Sequence, residues 1–293
     1  MPDKSYKQIV ILSGKGGTGK TTLSAALASL INNKIVIDCD VDAANLHLIL
    51  KPTQVKEFEF TGGKKAKIEY KKCIKCGKCR SVCKFEAINE YEVDTLSCEG
   101  CGFCYRVCPQ EAISFNSFKS GTYFECLLPD SSKFYYARLL PGEGNSGKLV
   151  SEIKRKALEN VSPEIEWVIV DGPPGVGCPV NASIASADYI VAVTEPTLSG
   201  FHDLQRLIEL LKAFNIKAGI VINKFDLNMD VTTRIFKYSD EQNVPVIGSI
   251  PFDKDFVNAL INGDNIVEIN EKIREEILTI WKQLEFQVAL IVY

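Results

Sequence analysis

Long apolar runs are missing from this chain. No stretch approaches the ~18 apolar residues a membrane-spanning helix needs, and the C-terminal QVALIVY is too short to span and lacks a basic face. A signal or transit leader is missing too. Charge of one sign is not in excess: 34 Lys and Arg against 37 Asp and Glu leave −3 at pH 7, so no nucleic-acid partner is expected. Histidine is scarce, and His47 and His202 fall in helical stretches without ligand spacing, which reads as structural. These absences describe a cytoplasmic protein without stable membrane insertion. What is abundant is cysteine: eleven in a chain of this kind argue for metal rather than disulfides.

The chain opens with an apolar strand, Ile9–Leu12, that runs into Gly14-Lys15-Gly16-Gly17-Thr18-Gly19-Lys20-Thr21-Thr22. This fits GxxxxGK[ST], and the following TLSAALASLI has helical periodicity. In such a loop the backbone N–H groups surround phosphate oxygens, Lys20 reaches the outer phosphates and Thr21 holds Mg²⁺. Five further apolar runs (34–40, 166–175, 189–196, 218–226 and 245–253) alternate with helical patterns, which predicts a parallel α/β sheet. Ligands in such sheets bind at the carboxyl ends of strands, where Asp38, Asp40, Asp171, Glu195 and Asn223 fall.

KGGTGKTT, with Lys15 directly after the first glycine, resembles the deviant Walker A loop of the MinD/ParA/nitrogenase-iron-protein class of P-loop ATPases. VIDCDVD resembles the first switch of that class, VIVDGPPG its Walker B and second switch, and TEPTLSGFHDLQR and GIVINKFD also match. The resemblance implies a homodimer closed by ATP, with Lys15 crossing to the partner's phosphates. It makes Lys20 the phosphate lysine, Asp40 the residue that positions water, and Thr21 and Asp171 the Mg²⁺ residues. Asp38 and Asp42 flank Asp40, and only one carboxylate is needed at the water. Asn223 and Pro251 are the adenine residues the class implies. Asn223-Lys-Phe-Asp226 also satisfies NKxD, whose Asp226 would pair with guanine, so GTP stays open beside ATP.

Residues 73–83 and 98–108 carry the same spacing, Cys-x₂-Cys-x₂-Cys-x₃-Cys, 25 residues apart, and CKFEAI (83–88) returns as CPQEAI (108–113). The duplicated run resembles a two-cluster bacterial ferredoxin. That resemblance implies one [4Fe–4S] cluster on Cys73, Cys76, Cys79 and Cys108, and another on Cys98, Cys101, Cys104 and Cys83. Zinc, the competing metal, usually takes two separated cysteine pairs. Lys84 stands where the second run has Pro109. Gly62–Lys84 holds nine basic residues against one acid: a solvated face, or a docking surface for an acidic partner.

The expected architecture is therefore a P-loop domain of 1–57 and 119–293, interrupted by a small α+β 2[4Fe–4S] ferredoxin domain at 58–118. Loop-like TGGKKAK and FNSFKSGT bound the insert. Cys39 reads as a buried structural thiol, and Cys126 has no partner nearby in sequence. Cys178 lies about where the nitrogenase iron protein has one ligand of a bridging cluster, but Asn145 in PGEGNSG stands at the other, so no such cluster is expected. Two functions follow. In the first, an ATPase couples a nucleotide-driven dimer to electron transfer, or to metal-cofactor maturation of a partner protein. In the second, a MinD/ParA-like positioning or regulatory ATPase carries structural or redox-sensing clusters. An amide ligase of the cobyrinic acid diamide synthase type is disfavoured, since no glutaminase domain accompanies the core.

Overall fold

The computed structural model describes residues 4–292, with the side chain of residue 292 left aside. Its first elements are β1 (Lys7–Ser13), α1 (Lys20–Leu30), β2 (Lys34–Asp38), α2 (Leu46–Leu50) and β3 (Thr53–Ile68). Then come α3 (Lys78–Ser81), β4 (Ile88–Asn89), β5 (Glu92–Val93), α4 (Phe103–Val107), β6 (Ile113–Leu127) and β7 (Lys133–Leu139). After α5 (Ser146–Ala157) the chain alternates through β8 (Trp167–Pro174), α6 (Cys178–Ile184), β9 (Tyr189–Thr194), α7 (Leu198–Ala213) and β10 (Ala218–Asn223). It ends with α8 (Met229–Gln242), β11 (Val246–Ile250), α9 (Asp255–Asn262), α10 (Ile266–Ile269) and α11 (Glu271–Ala289).

Two compact units result: residues 4–57, 124–137 and 146–292 form the first, and 58–123 with 138–145 form the second. The sheet order is β11-β10-β9-β1-β8-β2-β7-β6-β3. The pairs β1–β8, β1–β9, β9–β10, β10–β11, β2–β8 and β2–β7 are parallel. β1, β2, β9 and β10 read as nearly unbroken apolar runs because both faces of a parallel sheet are covered. On one face the apolar side chains of α1 and α11 (Leu23, Leu27, Ile273, Ile277, Leu284) close over Ile9, Ile11, Val191 and Val221.

The run 34–40 forms β2 as far as Asp38, whose carboxylate accepts the N–H groups of Asp40 (3.0 Å) and Leu46 (3.2 Å) and turns the chain. One sequence expectation is corrected. TGGKKAK and FNSFKSGT were read as loops; both lie inside strands, β3 and β6. Glycine and lysine there are tolerated because the strands are long and paired. Gly62 donates its N–H to Ser120 Oγ at 2.6 Å, Lys119 pairs with Glu59 at 3.0 Å, and Phe58 stacks on Tyr123.

In the second unit the sequence repeat becomes a backbone repeat. Left-handed residues recur 25 apart: Lys75 (φ 56) and Gly100 (φ 65), Gly77 (φ 77) and Gly102 (φ 73), Glu86 (φ 52) and Glu111 (φ 48). The turns recur as well, Ser81 N–H to Gly77 C=O and Arg106 N–H to Gly102 C=O. Its core is small, with Ala66, Ile68, Ala87, Ile88 and Ile113 fully buried alongside Cys79 and Cys98.

Candidate functional site

At the carboxyl end of β1 the chain turns through Gly14–Gly19 into α1. Gly19 sits at φ 91, and a Cβ there would lie 2.2 Å from Asn223 Nδ2, so only glycine fits both the backbone and its neighbour. Gly14 is required by close approach: a Cβ would meet Asp203 Cβ at 2.5 Å. Gly16 and Gly17 face open space. Thr18 is 2 % exposed and its Oγ1 has no hydrogen-bond partner among the described residues. An orphaned hydroxyl inside a loop of inward N–H groups suits an anion that supplies the missing partner.

Below the loop lies a buried charge cluster. Lys20 Nζ is 2.9 Å from Asp171 Oδ1 and 3.9 Å from Asp40 Oδ2, with Lys20 6 % and Asp171 0 % exposed. Thr21 Oγ1 donates to Asp171 Oδ2 at 2.8 Å, and Ser24 Oγ donates to Asp171 Oδ1 at 2.7 Å. Burial alone would lower the Lys20 ammonium, but Asp171, Asp38 and Asp40 outweigh it and hold it above its ordinary value. Asp38 is pushed up to about 8 by burial and by Asp171 against the opposing pull of Lys20, and burial raises Asp40 as well. With Asp38 largely protonated at neutral pH, Asp171 and Asp40 around one ammonium still leave a deficit of positive charge, which suits a divalent cation near Thr21 and Asp171. Ser24 belongs to this cluster although the sequence did not single it out; its signal is its place one turn after Lys20.

Two cavities adjoin the loop. The larger, about 1380 Å³, is lined by the loop from Gly16 to Thr22 and by Asp40, Asp42 and Pro174 among others. The second, about 720 Å³, is mainly apolar and is walled by Thr22, Asn223, Ile250, Phe252, Phe256 and Leu260. A phosphate loop opening onto a flat apolar slot has the shape of a nucleotide site. Asn223 Nδ2 donates to the Thr18 carbonyl at 2.8 Å and so ties β10 to the loop. Asp226 and Pro251 do not line the slot. The Asp226 carboxylate accepts the Phe252 N–H at 2.7 Å and is used to hold that turn. Phe252 and Phe256, which do line it, carried no motif in the sequence.

Lys15 is engaged within its own chain. Its ammonium lies 2.7 Å from Glu195 Oε1, 3.0 Å from Ser199 Oγ and 3.3 Å from Thr197 Oγ1. Glu195 also meets Lys224 at 3.3 Å. Burial pushes Glu195 up, but Lys15 and Lys224 outweigh it and hold the carboxyl below the usual range.

In the second unit the eight motif cysteines wall two separate spaces. Cys73, Cys76, Cys79 and Cys108 line one, and Cys83, Cys98, Cys101 and Cys104 line another. Each space thus takes three cysteines from one run and the last from the other, and its remaining wall is largely apolar (Ile68, Ile113 and Tyr91; Val82, Phe103 and Phe115). Burial raises the Cys79 and Cys104 thiols. Among the described residues no three His, Cys, Asp or Glu side chains gather closely enough to hold one metal ion. A cubane asks for something different, because each thiolate binds its own iron at a separate corner, and four spaced sulfurs around an apolar space fit that demand. The other three cysteines lie in the first unit. Burial pushes Cys39 up to about 12 and Cys126 up to about 11, whereas Cys178 is exposed at the start of α6.

The CobQ/CobB/MinD/ParA nucleotide binding domain family (CbiA) matches residues 9–266. An uncharacterized protein of Methanocaldococcus jannaschii is 36 % identical over 95 % of this chain and 96 % of its own. The septum site-determining protein MinD of Synechocystis is 26 % identical over 90 % of this chain and 83 % of its own. Among solved structures, MinD from Pyrococcus horikoshii complexed with Mg-ADP superposes with a TM-score of 0.57 at 17 % identity, covering 98 % of both chains. The ATP complex of Cyanothece McdA gives 0.60 at 17 % identity over 96 % of this chain and 97 % of that one. No helix among the described residues is long and apolar enough to cross a membrane. With a glycine loop, a buried Lys20–Asp171 pair and a family match across most of its length, the chain belongs to the CobQ/CobB/MinD/ParA nucleotide-binding family.

Proposed function

We propose that this protein is an ATP-hydrolysing molecular switch of the MinD/ParA type. The observation that carries the reading is the buried array of Lys20, Thr21, Ser24 and Asp171 beneath a glycine loop that opens onto an apolar slot. ATP is the nucleotide and Mg²⁺ its counter-ion, by likeness to the Mg-ADP complex of a MinD. Adenine is favoured over guanine because Asp226 is already engaged by the Phe252 N–H. Lys20 neutralises charge on the outer phosphates, Thr21 and Asp171 hold the cation, and Asp40 orients the attacking water. Two chains close face to face around nucleotide, and Lys15 then reaches the partner's phosphates.

Anaerobic protein should hydrolyse ATP faster than GTP. Phe252→Ala should raise the KM for ATP about tenfold, a ~1.4 kcal/mol loss of slot contact, while Asp226→Asn leaves the ATP-to-GTP ratio unchanged. A variant that prefers neither base would overturn the adenine assignment.

Lys15 must leave Glu195 before it can cross. Glu195→Gln should therefore strengthen ATP-dependent dimerisation by about 30-fold, because each of the two chains releases one partly buried ion pair worth roughly 1 kcal/mol. Sedimentation with a non-hydrolysable ATP analogue reads this, and an unchanged or weaker dimer sinks the idea.

A second reading adds to the first: residues 58–118 are a ferredoxin-like insert with two [4Fe–4S] clusters. The two cysteine-walled spaces favour it. Clusters there supply one-electron chemistry, and the chain's own part is to hold them in an apolar surround. Their use is electron delivery or cofactor maturation of a partner, or redox sensing by a positioning or regulatory switch; kinship with MinD supports the switch. Iron and acid-labile sulfide of anaerobically isolated protein test for the clusters, with about eight of each per chain expected.

A further inference from the structure

The two halves of the second unit share a backbone but not a surface. Residues 71–84 carry six basic side chains and no acid, whereas the matched stretch 96–109 carries one of each, Glu99 and Arg106. The difference falls on exposed positions. Lys71, Lys75, Lys78 and Arg80 are replaced, 25 residues on, by Leu96, Gly100, Phe103 and Tyr105. Lys72 is balanced by Glu69 at 2.9 Å, and Lys75 lies over the Tyr91 ring. Among the described residues Lys71, Lys78, Arg80 and Lys84 have no ion-pair partner. One cation lines a cavity: Lys78, with Ile74 and the exposed Cys76, lines the space shared by Cys73, Cys79 and Cys108, and Lys71, Lys72 and Lys75 lie beside Cys73 and Cys76 in the chain, whereas no Lys or Arg lines the other space.

A duplication that keeps its φ > 0 positions, turns and cysteine spacing, yet loads one rim with cations, has specialised that rim. Unpaired like charges on a short segment repel one another and give the fold nothing, so their use lies in what they attract. We infer that the rim of the Cys73/Cys76/Cys79/Cys108 cavity is the docking port for an acidic one-electron carrier protein. The inference rests on the reading of the cysteine spaces as cluster sites. An acidic face would be steered to the rim and held in register, so that the carrier's cofactor stands against the exposed Cys76. A [4Fe–4S] cluster held by Cys73, Cys76, Cys79 and Cys108 would accept one electron from the reduced carrier, with no atom or proton exchanged. The lining of the other cavity, aromatic and with Glu99 as its one charged residue, is left for a different contact. A nucleic acid is the less suitable polyanion, because the patch is confined to one small rim on a chain of net charge −3.

The test uses the anaerobic full chain with its iron and sulfide measured first, and an acidic flavodoxin as probe. Calorimetry at ~0.02 M salt should detect a complex that is lost at ~0.3 M. The triple variant K71E/K75E/K78E should weaken it at least tenfold, and Arg106→Glu, in the matched stretch of the second cysteine run, should leave it unchanged. If the triple variant loses iron, K71Q/K75Q/K78Q takes its place. A fully loaded wild type that fails to bind, equal weakening by Arg106→Glu, or binding of a short single-stranded oligodeoxynucleotide in place of flavodoxin overturns the port. Wild type without iron and sulfide overturns the cluster reading beneath it, and the prior iron measurement tells the two failures apart.

Discussion

Lys20→Met should lower the proposed ATP hydrolysis steeply and, in the same step, destabilise the nucleotide-free protein. The activity loss should be on the order of 10²–10³-fold, because the lysine stabilises charge that builds on the transferred phosphoryl group. The stability loss has a separate origin. Lys20 is the cation nearest Asp171, which is fully buried, and it also lies within 3.9 Å of Asp40. Removing one partner of a buried pair leaves an uncompensated charge, at a cost of about 3–5 kcal/mol. Denaturant melts in the absence of nucleotide should show that drop. The double variant K20M/D171N should recover much of the stability and none of the activity, because it removes the stranded carboxylate without restoring a phosphate ligand. If Lys20→Met melts like wild type, the Lys20–Asp171 pair is solvated in solution and the buried array does not describe the free protein.

Cysteine substitutions should separate by cavity and not by sequence run. Cys79→Ser and Cys108→Ser should each lower iron from about eight to about four per chain, and the double variant should lose no more than either one. Cys79→Ser with Cys83→Ser, two residues of one run, should remove nearly all the iron, because those side chains line different spaces. The opposite pattern, in which a run behaves as a unit, would contradict the crossed arrangement. On the proposed cluster reading, loss of iron should also loosen the second unit. Only a handful of apolar side chains are fully buried there, too few for a segment of this size to hold together unaided. Limited proteolysis after chelation should cut within 58–118 while the first unit stays intact. Resistance equal to the iron-loaded protein would mean that the unit's own core suffices.

Much of this site was legible locally. The P-loop is nine consecutive residues between an apolar strand and a helix, and each feature it needs (glycines, lysine, hydroxyl) sits in one window. Asp171 ends an apolar run, as a residue at the carboxyl end of a parallel strand does. The cysteine spacing and its 25-residue repeat were equally plain, and left-handed residues recur with it in the structure because a duplicated sequence meets the same local sterics twice. Glycine- and lysine-rich TGGKKAK was misleading, since composition suggested a loop where strand pairing prevailed.

What the sequence determined by itself was the family, the phosphate loop with its strand and helix, and the pairing of two four-cysteine motifs; each is written in short-range spacing that local sterics and periodicity can read. The tertiary structure alone decided that Lys15 rests on Glu195 of its own chain, that Asp226 is occupied by Phe252, that Phe252 and Phe256 wall the slot, and that Ser24 joins Lys20 on Asp171. Most of these contacts join residues far apart in the chain, and a long-range contact leaves no periodic trace in either partner. Only the closing of the sheet and its helices brings them within reach.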